Sequence, residues 1–260
     1  MIVETVGKHI RLIAQDDHGR QCGEMAAAWG TPPFAPVSAE TILAARLHDA
    51  GWREWDAAPA ADPASGLPYR FYEMPLSDHL AIFGRGVPRA REEGGDLAGL
   101  LTSMHALGLY NGRYGLIPGA SPRPISPADE PAVVRFVGEE TRRQDMLRDR
   151  LSLSAIDPSL WTWYRLLQFW DALSLFSLPT EPRRRTLPPT PAADGDLTIE
   201  MRPRGHGEIV LDPWPFRGDS LETRIPARRI PASHYDQRAL LTALAAAEDE
   251  TIVVCFVRGG

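Results

Sequence analysis

Cysteine is nearly missing: Cys22 and Cys255 are the only two in 260 residues. That is too few for a disulfide framework and points to a reducing compartment. Lysine is scarcer still, with Lys8 alone and every other basic side chain an arginine. Arginine favours two-pronged contacts to anions, although a GC-rich genome gives the same bias. No apolar run approaches the roughly 18 residues that a membrane helix needs. The opening stretch MIVETVGKHIRLIAQDDH lacks the basic-then-apolar layout of a signal peptide, so a cytoplasmic protein without membrane contact is expected. There is no glycine-rich phosphate loop, no G-x-S-x-G and no paired zinc-type cysteines. The formal net charge of −6 argues against nucleic-acid binding by charge alone. No internal repeat is visible.

What is present is ordinary for a globular chain: 43% hydrophobic and 24% charged residues, enough for one large domain or one with a smaller appendage. Ile2–Val6 and His9–Ala14 flank Gly7-Lys8 as a hairpin. Asp16 or Asp17 is placed to cap a helix running to about Trp29, with His18, Cys22 and Met25 on its inward face. Ser38 caps a second helix, Ala39 to Ala50, ended by Gly51. A proline-rich irregular loop covers 53–75. A short helix from Pro75 carries His79 and Phe83, and Asp96 caps another that carries His105. After a Pro/Gly loop at 111–130, a polar helix covers 131–151, and Asp157-Pro158 opens an apolar one to Leu178. Residues 179–196 read as a linker. Beyond them the period shifts to strands at 197–202, 207–211 and 221–229, then a helix at 237–247 and a strand at 251–258. The expected fold is mainly α. It has a helical core over 15–178 and a small α+β subdomain formed by 1–14 with 197–260.

Within the helical part, His48 and Asp49 are adjacent at a helix end. Sequence neighbours on a helix point about 100° apart, and a metal ion is one object both could reach. His18, His48-Asp49, His79, His105 and Asp171 each fall on a different predicted helix, mostly on the apolar side. A buried imidazole or carboxylate needs a partner, so five elements converging on one metal centre is the economical reading. Taken singly, each has a plainer role. His48 suits a helix C-terminus, His18 a capping turn, His105 a satisfied core position, His79 an exposed first turn, and Asp171 an ion pair with Arg165. His9, His206 and His234 are expected to have no role. Asp56 suits a partner to a ligating histidine, and Cys22 has no basic neighbour that would make it a nucleophile.

The order H…HD…H…H…D resembles the HD-domain superfamily of metal-dependent phosphohydrolases, including the two-metal subset that contains diiron oxygenases. The whole chain more closely resembles an uncharacterised bacterial family, domain of unknown function 3891. The likeness rests on Gln15-Asp16-Asp17-His18, on His48-Asp49-Ala50-Gly51-Trp52 with Trp55-Asp56, on Ser103-Met104-His105 and on Gln168 to Leu175. It implies an HD-like helical bundle with a divalent metal (Fe, Mn, Mg, Ni or Zn) on His18, His48, Asp49 and Asp171. His79 and His105 would serve a second ion or the substrate, and Asp49 would bridge. The implied activity is metal-dependent hydrolysis of a small phosphate ester or nucleotide. Asp49, His105 and Arg165 are the catalytic candidates, and Arg53, Arg142 and Arg165 the candidates for phosphate. A diiron oxygenase and a non-catalytic metal binder are the alternatives. The implied partner is an anionic small molecule, with a homodimer left open.

Overall fold

The computed structural model describes residues 1–205 and 207–259; His206 lies outside the described residues. Strands β1 (Ile2–Val6) and β2 (His9–Ile13) form the hairpin. Four helices follow: α1 (Gln15–Ala28), α2 (Ala39–Leu47), α3 (Arg53–Ala57), entered by a 3-10 turn at Ala50–Trp52, and α4 (Leu76–Asn111). Helices α5 (Glu130–Leu151) and α6 (Pro158–Ser177) complete the helical part. Then come β3 (Arg185–Thr186), β4 (Thr190–Ala192), β5 (Gly195–Leu197), β6 (Glu200–Gly205), β7 (Glu208–Asp212) and β8 (Ser220–Pro231). Helix α7 (Gln237–Ala245) and β9 (Glu248–Arg258) end the chain.

The expectation of a mainly α bundle with a small appendage is overturned. The chain is 47% helical and 22% strand, and seven strands form one curled mixed sheet, a half-barrel. Their order is β1-β2-β8-β9-β7-β6-β3. β7 and β9 run parallel, and the other neighbours are antiparallel. The two longest strands explain the size of the sheet. In β8, Thr223, Ile225 and Ala227 alternate inward, the period-2 pattern that buries one face. The N-terminal hairpin joins this sheet, with Ile10 opposite Ile230. Nor is the sheet separate from the helices. Met25 of α1 and Trp29 at its C-cap, Phe169 and Trp170 of α6, Ile209 and Leu211 of β7 and Phe256 of β9 share one apolar core. Residues 179–196, expected as a linker, carry β3, β4 and the start of β5.

Several local readings also change. Neither Asp16 nor Asp17 caps α1, whose N-cap is Ala14 without a side-chain bond; both lie inside the first turn, where the helix dipole favours a carboxylate. Ser38 and Asp157 do cap, each accepting from backbone N–H groups one turn on. The two helices expected around His79 and His105 are one element, α4, broken at Gly95 (φ 84°, ψ −179°). A glycine takes that conformation without strain. Among the described residues, no helix is long and apolar enough to cross a membrane.

Two glycines set the helix spacing that matters below. A Cβ on Gly19 of α1 would lie 2.7 Å from the Arg46 carbonyl oxygen of α2. A Cβ on Gly51 would lie 2.8 Å from Gly86 Cα of α4. Both contacts are too close for any side chain, so these helices approach backbone to backbone.

Candidate metal centre

The close approach of α1 to α2 brings the His18 and His48 rings to 5.3 Å between centroids. Helix α2 ends at Leu47, His48 is its C-cap, and Asp49 leaves the helix at φ −110°, ψ 18°. The neighbours are therefore not held 100° apart, and both side chains turn inward; His48 Nε2 lies 3.6 Å from Asp49 Oδ2. Asp171 of α6 reaches the same point. Its Oδ1 is 3.2 Å from His18 Nε2 and 3.9 Å from His48 Nε2. His105 of α4 completes the cluster, 4.0 Å from Asp49 and 4.0 Å from Asp171. All five side chains are buried. Among the candidates named from the sequence, the structure thus brings together His18, His48, Asp49, His105 and Asp171.

Hydrogen bonds fix which nitrogen faces the cluster. His48 Nδ1 is 2.8 Å from the Ala45 carbonyl, so it carries the proton there and Nε2 presents a lone pair. His18 Nδ1 is 2.6 Å from Ser174 Oγ. That hydroxyl donates its own proton to Gln21 Oε1 at 2.5 Å, so it can only accept from His18. Gln21 is anchored in turn by donating to Thr223 Oγ1 of β8 at 2.9 Å. His18 Nε2 therefore faces the Asp171 carboxylate, an arrangement that requires a cation between two acceptors, either a proton or a metal ion. His105 is different. Arg113 Nη1, which can only donate, lies 3.2 Å from its Nδ1, leaving the proton of the neutral ring on Nε2.

Electrostatics follow. Burial works against a charge on His18, but the Cys22 thiol and the Asp171 carboxylate raise its pKa well above the ordinary value. Asp171 is buried too, yet the bond from His18 and the other imidazoles around it hold its carboxyl well below the usual range. Burial raises Asp49. Burial, reinforced by Arg113, keeps His105 neutral by lowering its pKa well below normal.

The residues present fit a cation. Among the described residues, His48 Nε2 and Asp49 Oδ1 are buried with no hydrogen-bond partner, an expensive state for polar atoms. Bonds of about 2.1 Å place neighbouring ligand atoms about 3.0–3.4 Å apart, close to the His18–Asp171 and His48–Asp49 spacings. Among the described residues, two looser groups, His18–Cys22–His48 and His48–Asp49–His105, have their donor atoms within 4.8 Å of one another. The second oxygen of Asp49 accepts from Gln15 Nε2 at 3.1 Å, and Asp56 accepts from the Gln15 backbone at 2.6 Å. Asp56, expected beside a histidine, thus acts through Gln15 instead.

A cavity of about 490 Å³ opens on this cluster, lined by Asp49, His105 and Asp171, by Trp52, Phe83 and His79, and by Arg113 and Arg123. Arg123 donates to the Met74 carbonyl, while its Nη1 is buried without a partner. His79 belongs to neither donor group. It bonds the Tyr110 hydroxyl at 2.6 Å, and burial followed by the charges of Arg123 and Arg113 lowers its pKa to about 3.

The arginines chosen from the sequence lie elsewhere. Arg165 pairs with Asp196 at 2.7 Å and reaches the Pro189 carbonyl, because six residues of helix turn it off the Asp171 face. Arg53 is held by Asp16 and Glu93, and Arg142 is exposed. Arg113 and Arg123 went unnoticed because they sit in the loop after α4, where no periodicity marks an inward side. Ser174 and Gln168 lie within a recognised phrase, but their bonds to His18 and His105 need the fold to be seen.

No curated protein and no solved structure matched the chain. These comparisons do not show the resemblance to HD-type enzymes. The family model described as protein of unknown function (DUF3891) matches residues 1–232, and the chain belongs to that family.

Proposed function

We propose that this protein is a metal-dependent hydrolase of a small phosphate ester. His18, His48, Asp49 and Asp171 would hold one divalent ion. The observation that carries this reading is the pair of buried, unpartnered acceptors, His48 Nε2 and Asp49 Oδ1, of which Asp49 lines a cavity that also holds an incompletely bonded arginine. Buried polar groups without partners are rare in folded chains unless something else completes them. A divalent ion there supplies Lewis acidity and water acidic enough to ionise near neutral pH.

The chain's own groups account for the rest. Arg123 offers Nη1 to an anionic oxygen, and Arg113 stands beside His105 and Asp171; guanidinium groups match phosphate two-pronged. His105 keeps its proton on Nε2 and is a hydrogen-bond donor at the cavity floor. Gln15 orients Asp49, and Ser174 orients His18. Trp52 and Phe83 wall the cavity and limit water. The Tyr110 hydroxyl occupies Nδ1 of His79, which favours one ion over two, and with it hydrolysis over diiron oxidation.

The test is elemental analysis of protein purified without chelator, beside His48→Ala and Asp171→Ala. It is paired with phosphate release from a panel of small phosphate monoesters and nucleotides. The expectation is about one ion per chain, as a single four-ligand site takes, lost in both variants, with release that depends on it. Protein that takes up no Fe, Mn, Ni or Zn overturns the metal reading. Bound metal without turnover of any phosphate ester overturns the hydrolase.

A further inference from the structure

Helix α4 ends at Gly112, and four consecutive residues, Gly112 to Gly115, have φ between 56° and 71°. Two of them, Arg113 and Tyr114, are L residues for which this left-handed conformation is unfavourable, and such backbone persists only where its surroundings hold it. Here the anchors are explicit. Asn111 Oδ1 accepts from the Tyr114 backbone at 3.0 Å, and the Tyr114 ring meets Tyr164 at 5.4 Å and Trp161 at 5.3 Å. The product of the turn is the placement of Arg113, with Nη1 3.2 Å from His105 Nδ1 and Nη2 3.9 Å from Asp171 Oδ2.

Beyond the turn the chain divides the space around the cluster. Ser121 to Pro124 line the cavity already described, whereas Ile117 to Ala120 line a second one of about 530 Å³. Both cavities reach Arg113, Asp171 and Leu175, so the second is a chamber of the same centre. Its character differs. Among the described residues, Arg113 and Asp171, at the shared end, are the only charged ones that line it; Gln168, Thr186 and Thr198 add polar groups, and the rest of the wall is mainly apolar, with Ile117, Ala172, Phe176 and Leu187.

We infer that the substrate spans both chambers: an anionic head beside Arg113 and the donor cluster, and an apolar chain or ring in the second chamber. The inference rests on the proposed function for its head group and adds the class of the alcohol. That class is a phosphate monoester of an apolar alcohol, not a nucleotide. A base and a ribose bring donors and acceptors that need partners when buried, and away from Arg113 and Asp171 this chamber offers few. An apolar tail needs none, and each methylene taken out of water tightens binding about fourfold.

The test uses the metal-loaded protein and non-hydrolysable probes, methylphosphonate and octylphosphonate, titrated calorimetrically. Octylphosphonate is expected to bind more than tenfold tighter. Ile117→Glu, which sets a carboxylate in the apolar chamber, is expected to remove that advantage while leaving methylphosphonate binding and metal content unchanged. Thr198→Trp, at an exposed lining position, is expected to do the same by filling space. Equal affinities in the wild type, or an advantage that survives both substitutions, overturn the tail site while the head-group reading stands. Loss of binding for both probes in metal-loaded protein overturns the phosphate reading itself and this inference with it.

Discussion

Ser174→Ala removes a single hydroxyl 2.6 Å from His18 Nδ1 and 2.5 Å from Gln21 Oε1. The Ser174 residue is fully buried, and neither neighbour can turn to water. The variant therefore strands a donor on His18 and an acceptor on Gln21. Each stranded group costs about 1–3 kcal/mol, so the loss is about 2–6 kcal/mol. In a chain of this size each kcal/mol moves the midpoint by about 2–4 °C, so thermal unfolding is expected roughly 5–20 °C lower. The second consequence is specific to the centre. Nothing would then hold the His18 proton on Nδ1 or aim Nε2 inward, and losing such an outer partner typically weakens a metal site about 10–100-fold. Zinc or cobalt titration against a competing chelator reads this directly. Ser177→Ala is the control, since its hydroxyl bonds only the Ser174 carbonyl, at 2.9 Å. If Ser174→Ala binds metal as tightly as the control and melts with it, the relay from β8 through Gln21 and Ser174 does not position His18.

Other outcomes follow from the same geometry. Because the His18 pKa is raised, an incoming ion must displace a proton from Nε2; metal affinity should climb with pH, with about one proton released per ion, and a flat profile between about pH 6 and 9 would contradict this. His79 runs the other way. Its pKa falls from 6.5 to about 3 on folding, so its share of stability is complete above 6.5 and is lost as pH falls toward 3, by up to about 1.4 kcal/mol per pH unit; acid unfolding of His79→Phe should show the shallower slope. Gly51→Ala should cost about 1–3 kcal/mol or more and metal binding together, since its Cβ meets the α4 backbone and overpacking is costly; a stable, metal-binding variant would refute the backbone contact. Arg165→Ala should leave metal affinity untouched and shift stability by about 1 kcal/mol, since its partner Asp196 is exposed and the arginine only half-buried.

Local pattern made much of this legible. Turn residues at Gly7-Lys8, caps at Ser38 and Asp157, and the alternation in β8 act over a few residues, so the hairpin, α2, α6 and the long strands can be found without a fold. The spacing of His18, His48-Asp49, His105 and Asp171 also shows before any coordinates, because a charge or imidazole on an apolar helix face is conspicuous. His79 lies in the same helix as His105 and on the same cavity, yet Tyr110 holds it; a sequence marks a histidine and not its partner. Arg165, six residues before Asp171, is not on quite the same helix face even in the sequence, and Arg113 carries no mark there because its approach depends on a left-handed turn that the Asn111-Gly112 pair signals only as a turn.

By itself, then, the order of residues determined most of the longer elements and the inventory of donors, since both depend on contacts a few residues long. Tertiary structure alone decided that the strands close into one half-barrel sharing its core with α1 and α6, because pairing β2 with β8 joins residues more than two hundred apart. It also decided which donors meet. Helices α1 and α2 touch backbone to backbone at Gly19, the 3-10 turn touches α4 at Gly51, and those approaches set imidazole and carboxylate within 4 Å of one another in the interior.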